Sequence, residues 1–382
     1  MTPTEQDFFF SITKISLWNR EKDKQHLQSL LQRSAYSWQS ILKSYEDHAL
    51  LGVVADTILS LSNQTQLSDH QRNYIFQYVA NLHQKHFQTQ QAIVSAFEKL
   101  EGAGCNPILL KGEGLAQIYP LRCIRACGDV DVYVGEKDFD MAVACMQSLC
   151  VANDVEQAKF GNHDYSIKYK GIPFEIHFKP GYASVEKAEP RFQELANSWL
   201  VPEKCQSINI LGKSILIPAA QYNILYVFDH LTRHYRNSEL GIRQFIDWAL
   251  LLKKSDFQES VLKTHLEELQ ILDAWRRLAG VLHVALGMEN IPFYDAGDTI
   301  RSEKIIQVVM SRGNFAQQLT ELEAKGGLYY LLSLFKRSRE IGLVFPDYSR
   351  KWLSIQLKLS LKSYFKNTLQ INQINRIISS IR

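Results

Sequence analysis

The chain has 382 residues, 46% of them hydrophobic and 22% charged, a globular balance that excludes a disordered or collagenous protein and allows two or three domains. Its formal charge of +3 points to no particular partner. That charge is uneven: ten Lys and Arg stand against two acids between Lys336 and Arg382, so the remainder is acidic.

The first twenty residues, MTPTEQDFFFSITKISLWNR, set acids ahead of a short apolar patch with no basic leader segment, so no signal peptide is expected. Helices are expected from 1 to 101. There Leu27, Leu30, Leu31, Tyr36 and Ile41, then Tyr74, Ile75, Tyr78, Val79 and Leu82, recur at helical spacing. The breaker cluster GAGCNP at 102–107 ends that texture.

From 102 to 218 the pattern is mixed. ILLK reads as a strand, EGLAQIYP as a short helix stopped by Pro120, 130–134 as a strand and 138–150 as an amphipathic helix. The segment 164–179 reads as a hairpin turning at Lys170-Gly171. A helix at 185–200 precedes a second hairpin around Leu211-Gly212-Lys213. From 219 onward the helical period returns, with segments near 219–236, 241–254, 258–287, 303–323, 326–341 and 349–381.

No uncharged apolar run reaches the 18 residues of a membrane span. Six cysteines in so long a chain make no disulfide scaffold. Cys123 and Cys127 have no second pair at metal-ligand spacing, so no zinc site is expected. The expected architecture is α+β, in a soluble, cytoplasmic protein. A small mixed β-sheet domain at 102–218 lies between a helical N-terminal region, 1–101, and a helical C-terminal region, 219–382, with a basic tail.

The strongest local signal is GDVDVYV at 128–134. Residues i and i+2 of a strand share a face, roughly 7 Å apart, so Asp129 and Asp131 present paired carboxylates. Such a pair is tolerated where a cation lies between its members, and hard oxygen ligands suit Mg²⁺ or Mn²⁺ completed by substrate phosphates. In IPFEIHF, Glu175 and His177 share one face while Phe174, Ile176 and Phe178 share the other. A third carboxylate on a neighbouring strand is what a two-metal phosphoryl-transfer site requires.

Upstream, Lys111-Gly112 joins a strand to a helix, where backbone N–H groups and the Lys charge suit phosphate. The GxxxxGK[ST] spacing of a P-loop is absent. Arg122 and Arg125 precede Asp129 by seven and four residues, within reach of what the acids hold. His230 and His234 stand i, i+4 on one helix face without the Glu of the HExxH zinc motif. Arg243 and Asp247, also i, i+4, are spaced to pair along a helix.

Together, LLKGEGLAQIYP, RACGDVDVYV and FEIHF resemble an uncharacterised bacterial nucleotidyltransferase-like family of the DNA polymerase beta and kanamycin nucleotidyltransferase superfamily. HLTRH at 230–234 and GIRQFIDW at 241–248 extend the resemblance, which covers roughly residues 90 to 255. It implies a nucleotidyltransferase-fold domain that moves a nucleoside monophosphate from a triphosphate, ATP by default, to a hydroxyl acceptor. It implies Asp129, Asp131 and Glu175 as catalytic residues and ligands of two Mg²⁺ or Mn²⁺ ions. Lys111 and Gly112 stand where characterised members carry Gly-Ser, and with Arg125 they are implied to hold phosphate. His177, His230, His234, Arg243 and Asp247 are implied to face substrate.

Two other readings belong to different classes. One is a catalytically silent nucleotide-binding or regulatory module whose helices bind a partner. The other is nucleic-acid binding through the basic C-terminus, where Trp352, Tyr364 and Phe365 interleave with Lys and Arg.

Overall fold

Thr2 and Glu5 start the first helix by each accepting the other's backbone N–H, at 3.2 and 2.8 Å. The computed structural model describes residues 1–33, 36–61, 65, 67–295, 297–313 and 327–360. Helix α1 (Pro3–Trp18) is followed by α2 (Glu21–Arg33), α3 (Trp38–Asp47) and α4 (Leu51–Ser60). Ser68 and Gln71 form a second capping box that opens α5 (Asp69–Gly102), 34 residues long.

The chain then enters the sheet through β1 (Ile108–Leu110), short helix α6 (Gly112–Ala116) and β2 (Val130–Tyr133). Helices α7 (Gly135–Leu149) and α8 (Ala152–Glu156) lead to β3 (Lys159–Phe160), β4 (Asp164–Tyr169) and β5 (Ile172–His177). Helix α9 (Glu189–Trp199) precedes β6 (Gln206–Ile210) and β7 (Lys213–Ile217). The seven strands lie in the order β3-β4-β5-β2-β1-β7-β6. The sheet is mixed: β2 runs parallel to β5 and β1 parallel to β7, while the other neighbours are antiparallel. Both expected hairpins form. Their turns have φ of 50° and 79° at Lys170-Gly171 and 49° and 90° at Leu211-Gly212, the paired positive values that a two-residue turn demands.

Alternation divides the central strands. Val130, Val132, Phe174 and Ile176 are buried with Ile93 and Phe97 of α5 and Met146 of α7, each contributing roughly 1.5–3 kcal/mol. Asp131, Tyr133, Glu175 and His177 therefore take the opposite face. That face looks toward α10 (Ala220–Asn237) and α11 (Ile242–Lys254), which are followed by α12 (Glu259–Glu268), α13 (Leu272–Val284) and α14 (Thr299–Met310). Helix α15 (Gly327–Gly342) and a helix at 346–360 complete the described chain. One apolar core joins α1, α3 and α4 to α10–α14. Phe9 stacks on Tyr45 at 4.3 Å, and Phe228, Trp248 and Trp275 meet at 4.6–4.8 Å.

The structure differs from expectation in detail. The helix expected at 258–287 is broken at Gln270, whose φ of 57° is left-handed, so α12 and α13 are separate. Strand β3, only two residues long, carries too little pattern to be seen in sequence. The expected helices at 303–323 and 349–381 fall partly outside the described residues, as do Tyr364, Phe365 and the end of the basic tail. Trp352 packs against the main core, with the Arg337 guanidinium 5.3 Å from its ring, so that ring is already engaged. Among the described residues all six cysteines are free thiols, and no helix is long and apolar enough to cross a membrane.

Candidate active site

Because β2 and β5 are parallel and in register, Asp131 lies directly opposite Glu175, and Tyr133 opposite His177. Like charges facing each other across strands repel, so this placement requires positive charge nearby. The protein supplies part of it. Lys111 Nζ lies 2.8 Å from Asp131 Oδ1, and His177 Nε2 lies 3.1 Å from the same oxygen and 3.5 Å from Glu175 Oε2.

Asp131 and His177 are each 1% exposed. Burial alone would raise the Asp131 carboxyl, but the Lys111 ammonium and the His177 hydrogen bond outweigh it and hold the group well below the usual carboxylate range. Burial likewise opposes the charge on Lys111, and Asp131 overcomes it, pushing the ammonium above its ordinary value. For His177, burial is again outweighed, here by its bonds to Asp131 and Glu175, and the imidazole is raised. Its Nδ1 is buried without a hydrogen-bond partner among the described residues, beneath the stacked ring of His163 at 5.4 Å. Asp129 precedes β2, its side chain reaching solvent while its surroundings still partly desolvate the carboxyl. The charge of Asp131, then burial, pushes its carboxyl above the usual range.

Lys111 owes its position to a costly backbone. It stands between β1 and α6 at φ 43° and ψ −136°, a region that side chains other than glycine rarely adopt. Gly112 follows at φ 34°, where an added Cβ would lie 3.4 Å from the Asp129 carbonyl.

Helices α10 and α11 form the opposite wall. His230 and His234 bond through their Nε2 atoms at 2.9 Å, and Arg233 approaches His230 Nδ1 at 3.4 Å. Burial, then the charges of Lys111 and its other cationic neighbours, keeps His230 well below its ordinary value and therefore neutral. On α11 the expected pair along the helix, Arg243 with Asp247, is not the one that forms. Asp247 is buried and takes two bonds from Arg125, at 2.8 and 2.9 Å, and a third from Tyr119 at 2.8 Å. Arg125, expected to meet phosphate, is thereby committed to a protein carboxylate, with its remaining nitrogen 3.1 Å from Cys127 Sγ. Arg243 instead donates to the Ala126 carbonyl and has no ion-pair partner among the described residues.

A cavity of about 540 Å³ lies between these walls. Lys111, Gly112, Arg125, Asp129, Asp131, Glu175, His177, His230, His234, Arg243 and Asp247 all line it, although they come from the turn between β1 and α6, from α6, β2, β5, α10 and α11, and from the segment at 122–129. It also contains residues that sequence reasoning did not single out, notably Lys85, His163, Arg233 and Glu239. Arg233 sits inside the HLTRH segment, between two histidines that were singled out. Lys85 had no signal, since a helical residue reveals its neighbours only once the helix is docked.

The chemistry of this set suits a phosphate-rich ligand and a metal ion. Hard carboxylate oxygens converge from two strands, cations surround them, and the cavity has the volume of a small-molecule site.

The model of a family described as an uncharacterised nucleotidyltransferase matches residues 34–287, and the chain belongs to that family. The match reaches beyond the 90–255 of the motif resemblance, taking in α3–α5 and α12–α13. Membership gives the activity class as nucleotidyl transfer, with a nucleotide as substrate. No curated protein and no solved structure matches the chain.

Proposed function

We propose that this member of the nucleotidyltransferase family transfers a nucleoside monophosphate from a triphosphate, ATP by default, to a hydroxyl acceptor, using Mg²⁺ or Mn²⁺ held by Asp129, Asp131 and Glu175. The observation that carries the reading is the in-register pair Asp131 and Glu175, two carboxylates kept side by side on the floor of a polar cavity. The donor set fits a divalent ion: one ligand atom each from Asp131, Glu175 and His177 lie within 4.8 Å of one another. His177 thus joins the candidate ligands, whereas Asp129 lines the same cavity outside that cluster.

The bound ions would lower the pKa of the acceptor hydroxyl and offset charge on the leaving pyrophosphate. The chain's own groups do the rest. Glu175, with a third of its side chain exposed, is placed to receive the acceptor proton. Lys111 and Arg243 neutralise phosphate charge, the latter because Arg125 is already taken by Asp247. His230, kept neutral by burial and its cationic neighbours, adds no charge to the facing wall.

The test is a thermal-shift panel of the four nucleoside triphosphates, each with and without Mg²⁺ or Mn²⁺, on wild type and on Asp129→Asn/Asp131→Asn. A ligand at a hundred times its Kd stabilises a fold by about 2.7 kcal/mol. The expected result is a metal-dependent shift with at least one triphosphate that the double variant loses. No shift with any triphosphate at millimolar concentration overturns the reading in favour of a catalytically silent module.

A further inference from the structure

The Lys111 ammonium is a cation already seated on the carboxylate that a metal ion needs. It lies 2.8 Å from Asp131 Oδ1, and its side chain is only 17% exposed. The backbone is held at φ 43° and ψ −136° to put it there. A strained residue that aims a charge into a site is a hypothesis of function.

We infer that Lys111 is a resident counter-ion that competes with the divalent cation for Asp131, so that the metal gains the carboxylate fully only when phosphate offers the ammonium another partner. This rests on the metal-dependent reading above. The physical argument is Coulombic. Without a metal, Asp131 and Glu175 face each other in register and Lys111 offsets their repulsion. When a divalent ion arrives, the same ammonium repels it at close range in a poorly hydrated place. A triphosphate in the cavity reverses the balance, because its oxygens take over the ammonium while the ion keeps the carboxylates. The consequence is thermodynamic coupling: the site favours the metal together with the nucleotide over the metal alone.

The experiment is a Mn²⁺ titration of the full chain without nucleotide, following free Mn²⁺ by electron paramagnetic resonance. Wild type is compared with Lys111→Met and Lys111→Gly. Glycine adopts the local backbone without strain, which guards against a methionine variant that fails to fold. Both variants are expected to bind Mn²⁺ roughly tenfold or more tightly than wild type. Lys111→Arg, which keeps the charge, is expected to stay near wild type. Equal or weaker binding in a folded charge-removed variant overturns the competition while leaving the metal site intact. No Mn²⁺ binding in any variant overturns the metal reading and this inference together. A wild-type crystal soaked in Mn²⁺ together with a non-hydrolysable nucleoside triphosphate gives an independent check. Lys111 Nζ is expected to leave Asp131, and an ammonium still at hydrogen-bond distance beside a bound ion overturns the inference.

Discussion

Arg125 and Asp247, 122 residues apart in the chain, form a buried two-pronged ion pair with bonds of 2.8 and 2.9 Å. The pair ties the loop that carries Gly128 and Asp129 to helix α11, and Tyr119 completes the carboxylate's hydrogen bonding at 2.8 Å. A guanidinium satisfied in this way serves to position the loop.

Breaking that pair should therefore cost stability first. Asp247→Ala leaves a buried guanidinium without its partner, a change worth about 3–5 kcal/mol. Urea unfolding is expected to show a loss of that order, with Arg125→Met/Asp247→Leu losing less than the two single changes summed. A double variant that loses the full sum would mean that the two groups act separately.

Arg243 should behave in the opposite way. It has no carboxylate partner among the described residues, so Arg243→Met removes little from the fold but takes a charged donor from the phosphates. Calorimetry is expected to show triphosphate binding weakened roughly tenfold or more, with the unfolding midpoint nearly unchanged. A large drop in midpoint with intact binding would assign Arg243 to structure.

Asp131→Asn and Glu175→Gln each remove one of two facing carboxylates. Each is expected to lower nucleotidyl transfer by at least about 100-fold, since both would hold the metal that organises the reaction. Fold stability is expected to separate the two: Glu175→Gln relieves the repulsion between the strands, whereas Asp131→Asn leaves the Lys111 ammonium without its carboxylate and lowers the unfolding midpoint. The measurement is single-turnover release of pyrophosphate alongside thermal unfolding. Activity within a few-fold of wild type in either variant would remove that residue from the reaction.

His48 gives the protein an acid limit. It is 1% exposed, and its Nδ1 accepts the Ile242 N–H at the start of α11 at 3.3 Å. Burial pushes its imidazole down to about 4. Below pH ~6.5 the unfolded chain takes up a proton that the native state excludes, so stability is complete above that pH and falls on acidification. The loss reaches about 3 kcal/mol near pH 4. His48→Gln is expected to flatten the slope of unfolding free energy between pH 6.5 and 4, and an unaltered slope would place the acid sensitivity elsewhere.

The parts of this protein legible in its sequence are those encoded within a few residues. Alternation in GDVDVYV and IPFEIHF separates Val130, Val132, Phe174 and Ile176 from Asp131, Glu175 and His177 whatever surrounds the strands, because successive side chains must point to opposite faces. Lys170-Gly171 and Leu211-Gly212 mark their hairpins because few dipeptides adopt two positive φ values. The helical periodicity on either side of the sheet is local in the same sense.

Partnership is not local. Whether Asp247 would meet Arg243 four residues away or Arg125 on a distant loop depends on which face of α11 turns inward. The packing of Trp248 against Phe228 and Trp275 settles that. The ammonium of Lys111 reaches Asp131 because β1 pairs antiparallel with β2, with Leu110 opposite Asp131, and because a strained turn aims the next side chain back across the strands. Lys85 enters the cavity only through the docking of α5. Sequence alone determined the elements and the faces of the strands, since backbone geometry repeats every two or 3.6 residues. The tertiary structure decided which charges meet, since that follows from strand pairing for Lys111 and Asp131 and from the packing of α11 against a loop 122 residues away for Asp247 and Arg125.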